Sequence, residues 1–438
     1  MSNGEALKNF AHINDSTITD GAPTANDALI TDGAPTVNDA YDYPSRRVIE
    51  ALRSGVSSRE VGQCFTSARP KLVGELAGAL KKTADDHISG GMIVTGKYGE
   101  GKTHLLNTAL GMAHDLNMVV SKVTLSKETP MSSLPNLYHK ILRGAYLPGE
   151  TLPGISRALE EMTPGRAYVR DLTEFCQTGL SINRIYYVLK SWLATRDDDE
   201  KYALLADMEG DFIANARLRQ VYKRVYGKPV NFNVNFSKTK HIMDYFAFIS
   251  RLFLSLGYRG WVILFDEAEL TGRLSKKSRL NAYLNMHKLF KPERMEATYC
   301  IYAFNASYIP DVIDAKNEEA NVASSQLPQE SKEAIGDILS SINLAPQLTP
   351  LNRDETLEIL GKIQEFHGKA YGWKPAIDTE KAMDAIEKRG YLLRTHIRTM
   401  VELLDQLYQY GEAGDIKISE LDRATFEEDE DGADEDDE

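Results

Sequence analysis

Apolar side chains along this chain follow two rhythms. Short apolar runs rich in β-branched and aromatic residues read as strands: "GMIVTG" at 91–96, "MVVSKVTL" at 118–125, "GWVILFDEAE" at 260–269 and "ATYCIYAFNAS" at 297–307. Between them the apolar positions recur at helical spacing. "SRRVIEALRSG" at 45–55, "RPKLVGELAGALKKTAD" at 69–85, "THLLNTALGMAHDLN" at 103–117 and "TKHIMDYFAFISRLFLSLG" at 239–257 read as helices. Strands alternating with helices predict an α/β fold with a parallel sheet. Residues 131–240 interrupt that alternation with mainly helical sequence and read as an insertion. Residues 352–410 are helical in pattern, with loop signals at 368–377. The expected organisation is therefore an N-terminal tract over 1–42, a core over 43–350, a small helical domain over 351–412 and a tail over 413–438.

The two ends differ in kind from this body. "TDGAPTANDALI" at 19–30 is nearly repeated by "TDGAPTVNDA" at 31–40, with little to bury, so 1–42 is expected to be disordered. Residues 427–438, "EEDEDGADEDDE", hold ten acids and no base. They read either as a solvating tail or as a docking tail for a basic partner. The net charge of −13 comes from these ends: residues 45–426 carry 50 basic and 47 acidic side chains. The acidic balance therefore does not argue against a nucleic-acid partner for the body. No apolar run has the ~18–20 residues that cross a bilayer, and the N-terminus lacks a secretory pattern. Cys64, Cys176 and Cys300 have no disulfide or zinc spacing, which fits a reduced cytoplasm and buried small hydrophobes.

The chemistry begins where the first strand ends. "GKYGEGKTHLL" opens at Gly96 and matches G-x-x-x-x-G-K-[ST] through Gly96, Gly101, Lys102 and Thr103. Glycines let backbone N–H groups converge on phosphate oxygens without a Cβ in the way. The following helix would point its positive dipole end at the same phosphates. Residues Gly96, Lys97, Tyr98, Gly99, Glu100, Gly101, Lys102, Thr103 and His104 are thus the expected ATP-binding segment. Lys102 would reach the β- and γ-phosphates, and the Thr103 hydroxyl would ligate Mg²⁺. The matching acid ends the strand "WVILFDEAE": Asp266 would hold Mg²⁺ through water, and Glu267 would polarise the attacking water, with Glu269 the next candidate. The bland alternative is a helix-capping acid with a solvated neighbour.

Two further features fit ATPases of the AAA+ and signal-transducing group. Asn305 ends the strand after the acidic one, where that group carries a polar sensor; a satisfied turn asparagine is the other reading. Arg394 and Arg398 in "GYLLRTHIRTMVELL" lie one turn apart, where the group's lid carries a sensor arginine; a surface helix would also carry them. With these residues in view, the chain resembles the BrxD-like P-loop ATP-binding proteins of bacterial BREX-type phage-defence systems. The resemblance rests on "YPSRRVIEALRSGVSSREVGQCF" at 43–65, the glycine loop, "VILFDEAELTGRL" at 262–274 and "YLLRTHIR" at 391–398. It covers roughly 43–410. It implies a P-loop NTPase core, AAA+-like, with a C-terminal helical lid. It also implies an ATPase in an anti-phage or DNA-associated complex, working beside other defence proteins such as a helicase; Thr103 and Asp266 make Mg²⁺ the expected metal, and a homo-oligomer is the expected assembly. A non-hydrolysing, ATP-bound scaffold is the alternative.

One basic stretch stands apart. Residues 212–240 carry Arg217, Arg219, Lys223, Arg224, Lys228, Lys238 and Lys240 without an acid, interleaved with Phe212, Tyr222, Tyr226, Phe232 and Phe236. Cations for phosphates beside aromatic faces for bases is the composition of a DNA-binding groove. An amphipathic helix with a solvated basic face gives the same pattern. A second cluster, Arg273, Lys276, Lys277 and Arg279, is a candidate for DNA or for a neighbouring subunit's γ-phosphate.

Overall fold

The structure is a computed structural model that describes residues 42–65, 69–375, 377–387 and 393–411. The duplicated tract, the acidic tail and the "GYL" that opens the arginine segment lie outside the described residues. The chain begins with helices α1 (Tyr43–Arg53), α2 (Arg59–Cys64) and α3 (Pro70–Asp86). Ser58 caps α2 by accepting the Val61 N–H, and prolines open α1 and α3. Strand β1 (Gly90–Gly96), helix α4 (Lys102–Asp115) and strand β2 (Val119–Thr124) follow.

The segment expected as a helical insertion holds α5 (Leu134–Arg143), the short strand β3 (Ala145–Tyr146), α6 (Ser156–Glu160), α7 (Ala167–Glu174), α8 (Arg184–Ala194), α9 (Asp198–Met208) and α10 (Asn215–Tyr226). The long α11 (Lys238–Ser255) leads to β4 (Trp261–Asp266), α12 (Lys276–Phe290) and β5 (Thr298–Asn305). Then come α13 (Glu318–Ala323), α14 (Gln329–Asn343) and β6 (Gln347–Leu348). The chain closes with α15 (Arg353–Tyr371), α16 (Thr379–Glu387) and α17 (Leu393–Tyr410).

The six strands form one sheet in the order β3-β2-β4-β5-β1-β6. All neighbours pair in parallel except β2 and β3, which are antiparallel. The expected parallel sheet thus gains an antiparallel edge. Gly144 makes it possible: a Cβ there would lie 2.6 Å from the Lys122 carbonyl oxygen. Register aligns the carboxyl ends of the strands, with Gly96 opposite Asn305 and Thr124 opposite Asp266.

Successive strand residues face opposite sides, as the pleat requires. Val262, Leu264, Ile301 and Ala303 pack with Leu76 and Leu80 of α3 and Leu106 and Leu110 of α4. Ile263, Phe265, Tyr302 and Phe304 join the large cluster on the other face, which takes in α5, α8, α11 and α14. Helices of the 131–240 segment bury their apolar sides in that same cluster. A third cluster joins the two ends of the described chain: Val48, Ile49 and Leu52 of α1 and Val61 of α2 pack with Ile359, Leu360, Met400 and Leu404 of α15 and α17. Among the described residues no helix is long and apolar enough to cross a membrane.

Candidate nucleotide site

The glycine loop joins β1 to α4 and turns twice through backbone that L side chains avoid. Gly99 has φ 80° and Gly101 φ 89°. Gly101 caps α4 and has no side chain to accept the first-turn N–H groups at the positive end of the helix. Glu100 turns its carboxylate back to accept the Lys97 N–H. Lys102 donates from Nζ to the carbonyls of Gly96 at 2.8 Å and Lys97 at 3.1 Å. Burial lowers its pKa, against the pull of Glu269, Asp266, Glu100 and Glu267.

The loop meets the acidic strand directly. Thr103 Oγ1 donates to Asp266 Oδ2 at 2.8 Å, across 163 residues of sequence. Asp266 is 6% exposed, and its other oxygen accepts the Glu267 N–H at 3.1 Å. Glu267 sits in left-handed backbone, φ 56°, an unusual state for a residue with a Cβ. Loss of solvent, then Asp266 and Glu269, raise its pKa. Burial first raises the pKa of Glu269 too, and one Glu269 oxygen accepts the Asn305 N–H at 3.0 Å. The Asn305 side-chain oxygen accepts the Ser307 N–H at 3.0 Å, as a turn asparagine does. Four carboxylates and one lysine therefore share the carboxyl edge of the sheet.

The C-terminal helices reach the loop. Arg394 donates to the Tyr98 hydroxyl at 3.3 Å. Gly55, at φ 66°, leaves room for both arginines: a Cβ there would lie 2.6 Å from Arg394 Nε and 3.1 Å from Arg398 Cδ. The His104 side chain turns away from the loop, with Nε2 2.8 Å from the Phe65 carbonyl. Arg69 escaped the sequence reading. It donates from Nη2 to the Glu100 carbonyl at 2.8 Å and the Thr349 carbonyl at 2.6 Å, joining the glycine loop to the segment that leads into α15. Burial lowers its pKa. No local signal marks "ARP" as part of a site, because its partners are backbone atoms 31 and 280 residues away.

The donor set suits a hard cation. A hydroxyl and a carboxylate in contact match how Mg²⁺ is held by one or two protein oxygens together with substrate phosphates and water. Among the described residues no group of three or more His, Cys, Asp or Glu is placed to hold a metal by itself.

The basic stretch is only partly available for a groove. Arg217, Arg219, Lys223, Arg224 and Lys228 are exposed, while Leu218, Val221 and Tyr222 of α10 are buried. The aromatic rings are engaged within the protein. Tyr222 lies 4.8 Å from Tyr187, Phe232 5.7 Å from Tyr187, and Phe212 4.9 Å from Tyr245. They build the packing under α10 instead of forming a platform for bases. Arg224 is paired with Glu200, and Arg219 lies 5.0 Å from the Phe232 ring centre. In the second cluster Arg279 is 6% exposed and bonded to Glu318 at 2.6 Å, so it is no free cation for a neighbour's phosphate. Arg273, Lys276 and Lys277 are exposed.

Fold and site together define a mixed α/β protein with a glycine loop set against an acidic strand end. The family described as "BREX system ATP-binding protein BrxC/D" matches residues 42–151 and 169–420, and the chain belongs to that family. Comparison with individual curated proteins gives no match.

Proposed function

We propose that this protein is an Mg²⁺-dependent P-loop ATPase, AAA+-like, acting within a bacterial phage-defence complex. The observation that carries the reading is the 2.8 Å bond from Thr103 to Asp266, which joins the glycine loop to the acid a triphosphate site needs. The loop lies outside the carboxyl ends of the parallel strands, where α/β sheets bind ligands. The loop's backbone from Gly96 to His104 binds the phosphates, with Lys102 supplying mobile positive charge. Thr103 and Asp266 would hold Mg²⁺, which neutralises charge on the phosphate oxygens. Glu267 accepts the proton of the attacking water, and its raised pKa suits that task. Glu269 holds the backbone of Asn305 beside it. Arg394, through Tyr98, brings the C-terminal helices to the loop as a lid, with Arg398 beside it.

The family name supports ATP as the nucleotide and other proteins of the same defence system as partners. We propose that ATP binding or hydrolysis alters the grip on those partners. The occupied aromatics under α10 weaken the case for direct base stacking. Exposed Arg217 and Lys223 leave phosphate contact with duplex DNA as the form a nucleic-acid interaction would take.

The test is Glu267→Gln. ATP should still bind, while single-turnover cleavage slows by about 10²–10⁴-fold. Unchanged cleavage would remove Glu267 as the base. ATP bound but never cleaved by the wild-type protein would favour the scaffold reading.

A further inference from the structure

Four side chains beneath the glycine loop form a directed hydrogen-bond chain. Lys122 on β2 donates from Nζ to Asn107 Oδ1 at 2.8 Å. Asn107 on α4 is 2% exposed and donates from Nδ2 to the Ser57 carbonyl and, at 3.1 Å, to the Ser57 hydroxyl. That hydroxyl is 3.4 Å from His104 Nδ1, and His104 Nε2 meets the Phe65 carbonyl at 2.8 Å. With a neutral imidazole, one proton arrangement satisfies every link. The Phe65 carbonyl only accepts, so His104 carries its proton on Nε2. Nδ1 then accepts from the Ser57 hydroxyl, whose oxygen accepts from Asn107 Nδ2, and Asn107 Oδ1 accepts a hydrogen bond from the Lys122 ammonium.

The chain crosses β2, α4 and the start and end of α2. The helices touch closely where it runs: a Cβ on Gly62 would lie 2.6 Å from Asn107 Cβ, and Thr108 Oγ1 donates to the Gly62 carbonyl at 3.2 Å. Asn107 follows Thr103 by four residues, so both occupy one face of α4. Thr103 reaches Asp266 at the end of β4. Asn107 reaches Lys122, two residues before Thr124, which pairs with Asp266. One face of α4 is thus pinned at two points, one turn apart, to adjacent strands. On its other side α2 shares the cluster of α15 and α17 through Val61 and Phe65.

We propose that Asn107 is a positioning residue: it sets the rotation of α4, and so the aim of the Thr103 hydroxyl at Asp266, and through Ser57 and α2 ties that alignment to the C-terminal helices. The proposal rests on the Mg²⁺–ATP reading of the loop. Asn107→Leu keeps the number and branching of side-chain heavy atoms but bonds to neither Ser57 nor Lys122. Ser57→Ala is milder, removing only the hydroxyl links.

The experiment follows Mg²⁺ dependence of ATP turnover, Mg²⁺-free ATP binding, and labelling of Cys64 by an aromatic disulfide. Cys64 ends α2 and is half-buried, whereas Cys176 and Cys300 are buried. Because misplacement by ~1 Å costs on the order of 10²-fold, Asn107→Leu is expected to raise half-saturating Mg²⁺ by about 10-fold and lower kcat by about 10-fold. Mg²⁺-free ATP binding should stay within about 2-fold, since Lys102 is untouched. Mg²⁺–ATP should slow Cys64 labelling in the wild type and much less in either variant. Ser57→Ala should shift in the same direction, more weakly, and carries the test should Asn107→Leu not fold. Folded variants with wild-type Mg²⁺ dependence and wild-type protection of Cys64 overturn the proposal. A wild-type protein that binds no ATP overturns the nucleotide reading, and this proposal with it.

Discussion

At the scale of single residues, Glu267 carries the strain of the site. Left-handed backbone at a residue with a Cβ costs on the order of 1–3 kcal/mol, and Asp266 and Glu269 crowd it with like charge. Glu267→Gly should therefore raise unfolding free energy by about 0.5–1 kcal/mol in chemical denaturation while removing the proposed base. A destabilised glycine variant would mean that the turn is not strained and that Glu267 supports the fold. The glycine loop and its meeting with Asp266 were legible in sequence because each motif is written in adjacent residues. Arg69 and Asn107 were not. Each acts through partners brought close only by folding, and an arginine before proline or an asparagine within a helix has no distinctive neighbour. The aromatics of 212–240 left two readings open for the same reason: composition does not tell a ring packed on Tyr187 from one offered to a base.

At the scale of elements, apolar spacing located the long strands and helices well, since each buries a face whose period shows in the sequence. It missed β3, whose two residues are too few to show a period. It also gave no sign that α2 docks on α4. That contact has its own titrating group. Arg59 donates to His114 Nδ1 at 2.7 Å, and His114 Nε2 donates to the Tyr146 carbonyl at 3.2 Å, holding α2, α4 and β3 together. Burial, then the Arg59 charge, lowers the His114 pKa to about 4. The neutral ring is favoured by the fold, so this stability is complete above the ordinary histidine value near 6.5 and is lost as pH falls from there towards 4. Partial exposure reduces its size to about 1–2 kcal/mol. Denaturation midpoints should fall between pH 6.5 and 4 in the wild type, and less steeply in His114→Asn. Parallel profiles would show that His114 is not held neutral.

At the scale of the whole molecule, a cluster built from α1, α2, α15 and α17 brings the ends of the described chain together beside the glycine loop. Helix α1 was readable as a helix, but its partners some 300 residues away were not. The terminal tracts have little to bury, so deleting 1–42 or 427–438 should leave melting temperature and ATP turnover unchanged. A large drop on either truncation would show that the tract contributes to the fold. Equilibrium binding of ATP, with Mg²⁺, to the wild type and to Lys102→Ala decides whether the glycine loop is a nucleotide site. The wild type should bind ATP, and binding should be lost in a variant that melts normally, since each charge-assisted contact removed is worth roughly 1.5–3 kcal/mol. Equal ATP affinity in the two proteins would contradict it.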